Sequence, residues 1–201
     1  MIKLYGTSMS RAGRCLWALE EVGVPYEHVP TAIADTHKPE YLKINPNGHI
    51  PALDDDGVIL FESMAINLYL AEKYGKSTLW PATVEDRARA YQWSFWGMTE
   101  TEPHLIAIIR QRLFVPAEQK DEKVVQGALE ALKAPFKVLD GCLKDRDYLL
   151  GKSFTIADLN LASILMLGSF VGVDLTSTPA LQTWMQKCLG RPAHQKARGM
   201  K

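Results

Sequence analysis

Three short stretches of this 201-residue chain carry side chains suited to chemistry: Ser10, the pair His37-Lys38, and the pair Glu62-Ser63. Ser10 stands ahead of Ala12, Cys15, Leu16 and Leu19, apolar positions at helical spacing, so it falls where an N-cap would. Free N–H groups and the helix dipole favour an anion there, and Arg11 and Arg14 add positive charge. Glu62-Ser63 marks a second strand-to-helix junction, able to hold a carboxylate. His37-Lys38, in a polar loop, could meet another. Between them, Ile50 precedes Pro51, which has no N–H to give a ladder. Pro51 therefore either begins a strand on an edge or follows a cis bond. In both cases Ile50 offers its own N–H and C=O. Taken together, these groups suit an extended, peptide-like anion with a carboxylate at each end. Each also has a purely structural reading: Ser10 and Ser63 as caps, His37 and Lys38 as solvated loop residues, Pro51 as a strand start.

The elements that must position them follow from the pattern of apolar residues. Residues 2–5 read as a strand, the stretch after Ser10 as a helix closed by Gly23, and 24–29 as a strand parallel to the first. A polar stretch, 31–43, holds loop and a short irregular helix. Around the acidic turn 54–57, two short apolar runs read as an antiparallel hairpin, and a helix runs from Ser63 to Gly75. The order is βαβαββα, a small mixed sheet with helices packed on it, over residues 1–75.

Residues 75–84 read as a linker. Beyond it only helical periodicity remains, over 85–113, 118–143, 155–170 and 179–189, so 85–201 is expected to be all-helical. Pro103 and Pro135 should kink or split two of these helices. Thr155 and Asp158 are spaced as a capping box, flanked by Phe154 and Leu159 as a hydrophobic staple, which makes Asp158 structural rather than catalytic.

Composition narrows the function. The formal net charge is +0, against nucleic acid or an anionic membrane as the main partner. With 47% hydrophobic residues the chain can bury a core, yet no apolar run approaches a membrane span. Cys15, Cys142 and Cys188 are odd in number and widely spaced, as in a reducing compartment. A strand-like run begins at once, leaving no room for a leader, so the expectation is a cytoplasmic protein. No Gly-rich phosphate loop, HExxH or metal-spaced cluster is present, and no metal is expected.

At this point the chain resembles the cytosolic glutathione transferases over nearly its whole length, especially the serine-type, theta- or phi-like classes. "KLYGTSMSRAGRCLWALEEVGVPYE" resembles the family's first βαβ unit. "HKPEYLKINPNGHIPALDDDGVILFESMAI" resembles its glutathione-site segment, and "LLGKSFTIADL" the capping motif of its helical domain. The resemblance implies a thioredoxin-like N-terminal domain, a helical C-terminal domain and a homodimer. It implies that Ile50–Pro51 is cis and that Ile50 pairs with the cysteinyl unit of glutathione. Glu62 and Ser63 would hold the γ-glutamyl end, and His37 and Lys38 the glycyl carboxylate. His49 stands where the family commonly has a glutamine. The thiolate partner would be Ser10, which also suits the N-cap, with Ser8 as the alternative.

The implied reaction adds glutathione, as co-substrate, to an electrophilic, largely apolar small molecule. Its pocket is expected between the loop at Met9 and Arg11 and the inner face of 85–113. Trp93, Phe95 and Trp96 would line that pocket, form an interface or fill core, with core favoured. Two rivals stand beside this reading. One is a glutathione-dependent peroxidase or disulfide reductase using Cys15; the other is a non-catalytic binding protein that kept the fold.

Overall fold

The computed structural model describes residues 1–76 and 78–199. Ser77, in the expected linker, and Met200 and Lys201, at the end of the expected helical domain, lie outside the described residues. The chain forms two compact units, Met1–Ala82 with Gly190–Lys201, and Thr83–Leu189.

The first unit runs β1 (Ile2–Tyr5), α1 (Ala12–Val22), β2 (Tyr26–Val29), α2 (Pro39–Leu42), β3 (Ala52–Asp55), β4 (Val58–Phe61) and α3 (Ser63–Tyr74). Among the described residues the strands form one sheet in the order β2-β1-β3-β4, with β1 and β2 parallel and the rest antiparallel. This is the expected order of elements. β2 starts two residues later than the apolar run suggests, because Pro25 has no N–H to pair. Leu4 pairs with Leu53, and both are fully buried beside Leu16, Leu19, Ile66 and Leu70 in the core of the unit. A buried acceptor ties β3 to α3: the Asp55 carboxylate accepts from half-buried Tyr69 (2.8 Å) and Tyr74 (2.7 Å) and from exposed Lys73 (2.7 Å).

Residues past 190 do not stay with the helical region in which the sequence places them. Helix α9 (Pro192–Arg198) packs on α1 in the first unit. Arg191 forks onto both oxygens of Glu21 at 2.6 and 2.7 Å, Lys196 reaches Glu20, and buried His194 lies against the Trp17 ring. The sequence shows no periodicity here because seven residues span only two turns.

The second unit is helical: α4 (Val84–Trp96), α5 (Glu102–Ile109), α6 (Glu122–Leu143), α7 (Ile156–Ser169) and α8 (Pro179–Leu189). The helix expected over 85–113 is split by a π-helical turn, Gly97–Thr101, and ends in a second, Arg110–Phe114. Pro103 explains the first, since it gives no N–H to the carbonyl one turn back and the ladder must slip. Pro135, by contrast, lies within an unbroken α6. Trp93 and Trp96 are half-buried against each other, but Phe95 is 63% exposed and does not fill core as expected. It shares the open face of α4 with exposed Tyr91, one turn earlier.

Asp158 is structural in the way its spacing predicts. Wholly buried, it accepts the Thr155 N–H (3.0 Å) and hydroxyl (3.1 Å), the Leu149 N–H (2.8 Å) and Trp184 Nε1–H (2.9 Å). Burial pushes its pKa up, against the pull of these donors. Among the described residues, no helix is long and apolar enough to cross a membrane.

Candidate functional site

Most of the predicted site residues gather at one end of the sheet in the first unit, around the loop from β1 to α1. Gly6, in that loop, has φ 134°, a conformation that favours glycine. A Cβ added there would lie 3.7 Å from Ser10 Oγ and 3.3 Å from Ile50 Cβ, and only 2.6 Å from Ala12 Cβ. Gly6 thus lets the Ser10 loop, the start of α1 and the Ile50–Pro51 segment close on one point. That segment has the cis peptide the resemblance implies.

Ser10 Oγ accepts the Ala12 N–H at 3.1 Å and donates to the Thr7 carbonyl at 2.7 Å, while the Ser10 carbonyl accepts from Gly13. The serine therefore satisfies one of the free N–H groups of α1 as an N-cap would, although the regular helix begins only at Ala12. Its hydroxyl proton is on the loop side of the helix start and needs only a rotation about χ1 or the C–O bond to face another acceptor.

Ile50 is fixed from behind. Two buried side chains converge on the carbonyl of His49: the Tyr41 hydroxyl at 2.7 Å and Asn45 Nδ2 at 2.6 Å. Two donors on one oxygen leave the next peptide little freedom to rotate. The Tyr41 ring meets Tyr5 edge-on, and burial, with Tyr5 nearby, pushes its hydroxyl pKa up to about 12, so it stays a donor. Asn45 also accepts the Asn47 N–H at 3.1 Å, closing an Asx turn. The His49 ring itself is exposed. Neither Tyr41 nor Asn45 is flagged by the sequence reading, though the Asn45-Pro46-Asn47-Gly48 turn signal is visible in it.

Glu62 and Ser63 open α3. Glu62 is exposed and has φ 70° and ψ 109°, an unusual backbone for a residue with a side chain and one that concentrates at functional sites. No spacing rule announces it. Ser63 is buried; Arg14 Nη1 donates to its hydroxyl at 3.5 Å, and its carbonyl takes the Cys15 thiol at 3.6 Å. Arg14 is itself buried. Cys15 is wholly buried, and burial pushes its thiol pKa far up despite the neighbouring Arg14.

His37 joins the Ile50 loop through Gly48, whose φ is 63°: a Cβ there would fall 2.6 Å from His37 Nδ1. Lys38 is not drawn in. It extends to Asp35 at 2.6 Å, and that hydrogen bond raises its pKa. Among the described residues no group of three or more His, Cys, Asp or Glu could hold a metal ion.

The arrangement sets two helix starts, those of α1 and α3, and the Ile50 backbone at one end of a sheet, which suits an extended, peptide-like anion. Comparison with known proteins supplies the family. Residues 1–72 match the model of the glutathione S-transferase N-terminal domain, and residues 103–192 that of the C-terminal domain. Glutathione S-transferase GstB of Escherichia coli (strain K12) is 33% identical over 205 residues, covering 98% of this chain and 97% of the relative. Glutathione S-transferase 1 of Zea mays is 36% identical, with 97% and 94% covered. The crystal structure of the theta class glutathione S-transferase from Xanthomonas axonopodis pv. citri, with glutathione bound, superposes with a TM-score of 0.90 at 28% identity, covering 100% of this chain and 98% of that one. The matched domains, in order and across nearly the full length, place the chain in the glutathione S-transferase family.

Proposed function

We propose that the chain binds glutathione, activates it as a thiolate and adds it to an electrophilic, largely apolar small molecule. The observation that carries this reading is the approach of Ser10 and Ile50 across Gly6. A peptide whose cysteinyl backbone pairs with Ile50 would set its sulfur beside the Ser10 hydroxyl and the N-terminus of α1. Ser10 acts there as a hydrogen-bond donor to sulfur, not as a nucleophile. A thiol with pKa near ~8.5 is only a few per cent thiolate at neutral pH; lowering it to ~6.5 takes about 2.7 kcal/mol. One charge-assisted hydrogen bond and the donors of a helix start supply a quantity of that size.

In this reading Glu62 and Ser63 hold the γ-glutamyl end, with Ile50, Pro51 and His49 along the middle. His37 meets the glycyl carboxylate. Lys38 reaches that carboxylate only by leaving Asp35, an exposed and water-screened pair, so the exchange costs little. No metal enters the reaction. The buried, weakly acidic Cys15 argues against a protein-thiol peroxidase or reductase, since the thiolate is the reactive form. We place the protein in the cytoplasm, where its three cysteines would stay reduced. We also read it as a homodimer, on the family resemblance and the exposed Tyr91 and Phe95 of α4.

A panel of electrophiles offered with glutathione tests the function directly. Conjugation of at least one, lost when glutathione is replaced by a thiol without its carboxylates, is expected. Tight glutathione binding with no turnover across the panel would instead identify a binding protein.

A further inference from the structure

We infer that Arg14 is a positioning residue for the peptide's γ-glutamyl α-carboxylate, acting through Ser63; the inference rests on the proposed function. A hydroxyl can accept or donate, and which it does is set by its neighbours. A guanidinium can only donate. Arg14 Nη1, 3.5 Å from Ser63 Oγ, therefore occupies an acceptor site of that oxygen and leaves the hydroxyl proton for another acceptor. At the first residue of α3 such a donor points where the free N–H groups of the helix also favour negative charge.

Burial strengthens the case. Arg14 and Ser63 are only 4% and 3% exposed, so the cation acts through protein rather than through screening water. A neutral hydroxyl flanked by a buried cation and a helix N-terminus is matched to a carboxylate and mismatched to an amide or a hydrocarbon. Arg14 lies on the first turn of α1, four residues after Ser10, so the start of one helix supports two points of the peptide site: the sulfur through Ser10 and the α-carboxylate through Ser63. The competing possibility is that Arg14 merely ties α1 to α3.

The two roles separate when the carboxylate is removed from the ligand. Calorimetric titration would compare glutathione with γ-aminobutyryl-cysteinyl-glycine, which keeps the amine of the γ-glutamyl unit and lacks only its α-carboxylate, adding the γ-glutamyl α-amide to isolate the charge. Arg14→Gln should weaken glutathione binding about tenfold or more, yet change binding of the two analogues less than twofold. The loss should appear in KM for glutathione more than in kcat, and Arg14→Lys should restore part of it. Equal loss for all three peptides, or none, would overturn the inference while leaving the function standing. Should Arg14→Gln not fold, the parent protein decides: the Arg14 guanidinium ¹⁵N resonances should shift with glutathione and not with the amide. Equal shifts would overturn the role. Failure of the parent to bind glutathione at all would overturn the function itself.

Discussion

Replacing Ser10 with alanine removes one hydroxyl that the structure places in two hydrogen bonds, to the Thr7 carbonyl and from the Ala12 N–H. To serve a thiolate, the hydroxyl must give up the Thr7 carbonyl while keeping the Ala12 N–H. A hydrogen bond to a charged group contributes ~1.5–3 kcal/mol, and the neutral bond given up ~0.5–1.5. The difference is about 1.4 kcal/mol, or one pKa unit of the bound thiol. Ser10→Ala should therefore raise that pKa from about 6.5 to about 7.5, cutting the thiolate about fivefold at pH 6.5. Thiolate absorbance in the complex reads this directly. It is the primary measurement, because the nucleophilicity of a thiolate rises with its basicity and offsets part of the loss in rate. The conjugation rate should fall most at low pH and recover as pH rises. Losing the cap also costs ~1 kcal/mol of stability, so folding must be verified first. An unchanged bound-thiol pKa would refute the role of Ser10, and a raised one in Ser8→Ala would transfer it there.

Four further outcomes are expected. Asp55 is pushed up by burial, but its bonds from Lys73, Tyr74 and Tyr69 prevail and hold its pKa low; its stabilisation is thus complete above pH ~4 and lost as pH falls below that. Asp55→Asn should flatten this acid limb of the stability curve, and an acid limb identical to the parent's would exclude Asp55 as its cause. Asp158→Ala strands the Leu149, Thr155 and Trp184 N–H donors and should cost about 3–5 kcal/mol in denaturant unfolding; a loss under ~1 kcal/mol would mean that the network is dispensable. Asn45→Ala frees half of the clamp on the His49 carbonyl, so calorimetry should show weaker glutathione binding, and unaltered affinity would mean that Tyr41 suffices. Light scattering should give about twice the 22.5 kDa chain mass, and a monomer at micromolar concentration would rule out the dimer.

The fold was legible where burial is periodic and punctuation is chemical. Leu4, Leu16, Leu53 and Leu70 mark their elements because each lies on an inward face, and Gly23 and Pro25 mark where α1 stops and β2 begins late. The capping box at Thr155 is readable because its two residues lie three apart on one chain. What the sequence hid was non-local. Whether Pro103 or Pro135 breaks its helix depends on how the freed carbonyl is accommodated, and α9 leaves the helical unit because of charges on α1 about 170 residues away. Phe95 reads as core by its type and sits in the open by its rotation about α4.

At the candidate site, position was more legible than direction. Ser10, Ile50 and Ser63 do come to the same end of the first unit, yet nothing in their spacing says that Ser10 donates to Thr7, that Lys38 turns to Asp35, or that Arg14 reaches Ser63. Those directions decide the chemistry. Ser10 stands just ahead of the helix that carries Cys15, five residues on, and by type alone the cysteine is the stronger nucleophile. Burial removes it: a thiol with no exposed surface and a raised pKa has neither access nor charge. Ser10, at the helix start, sits where negative charge is stabilised but carries no group that ionises in the physiological range. A site with an idle, buried thiol beside a helix start that stabilises negative charge is complementary to a substrate that brings its own sulfur. That complementarity favours a transferase acting on a bound thiol over an enzyme that oxidises and reduces its own cysteine.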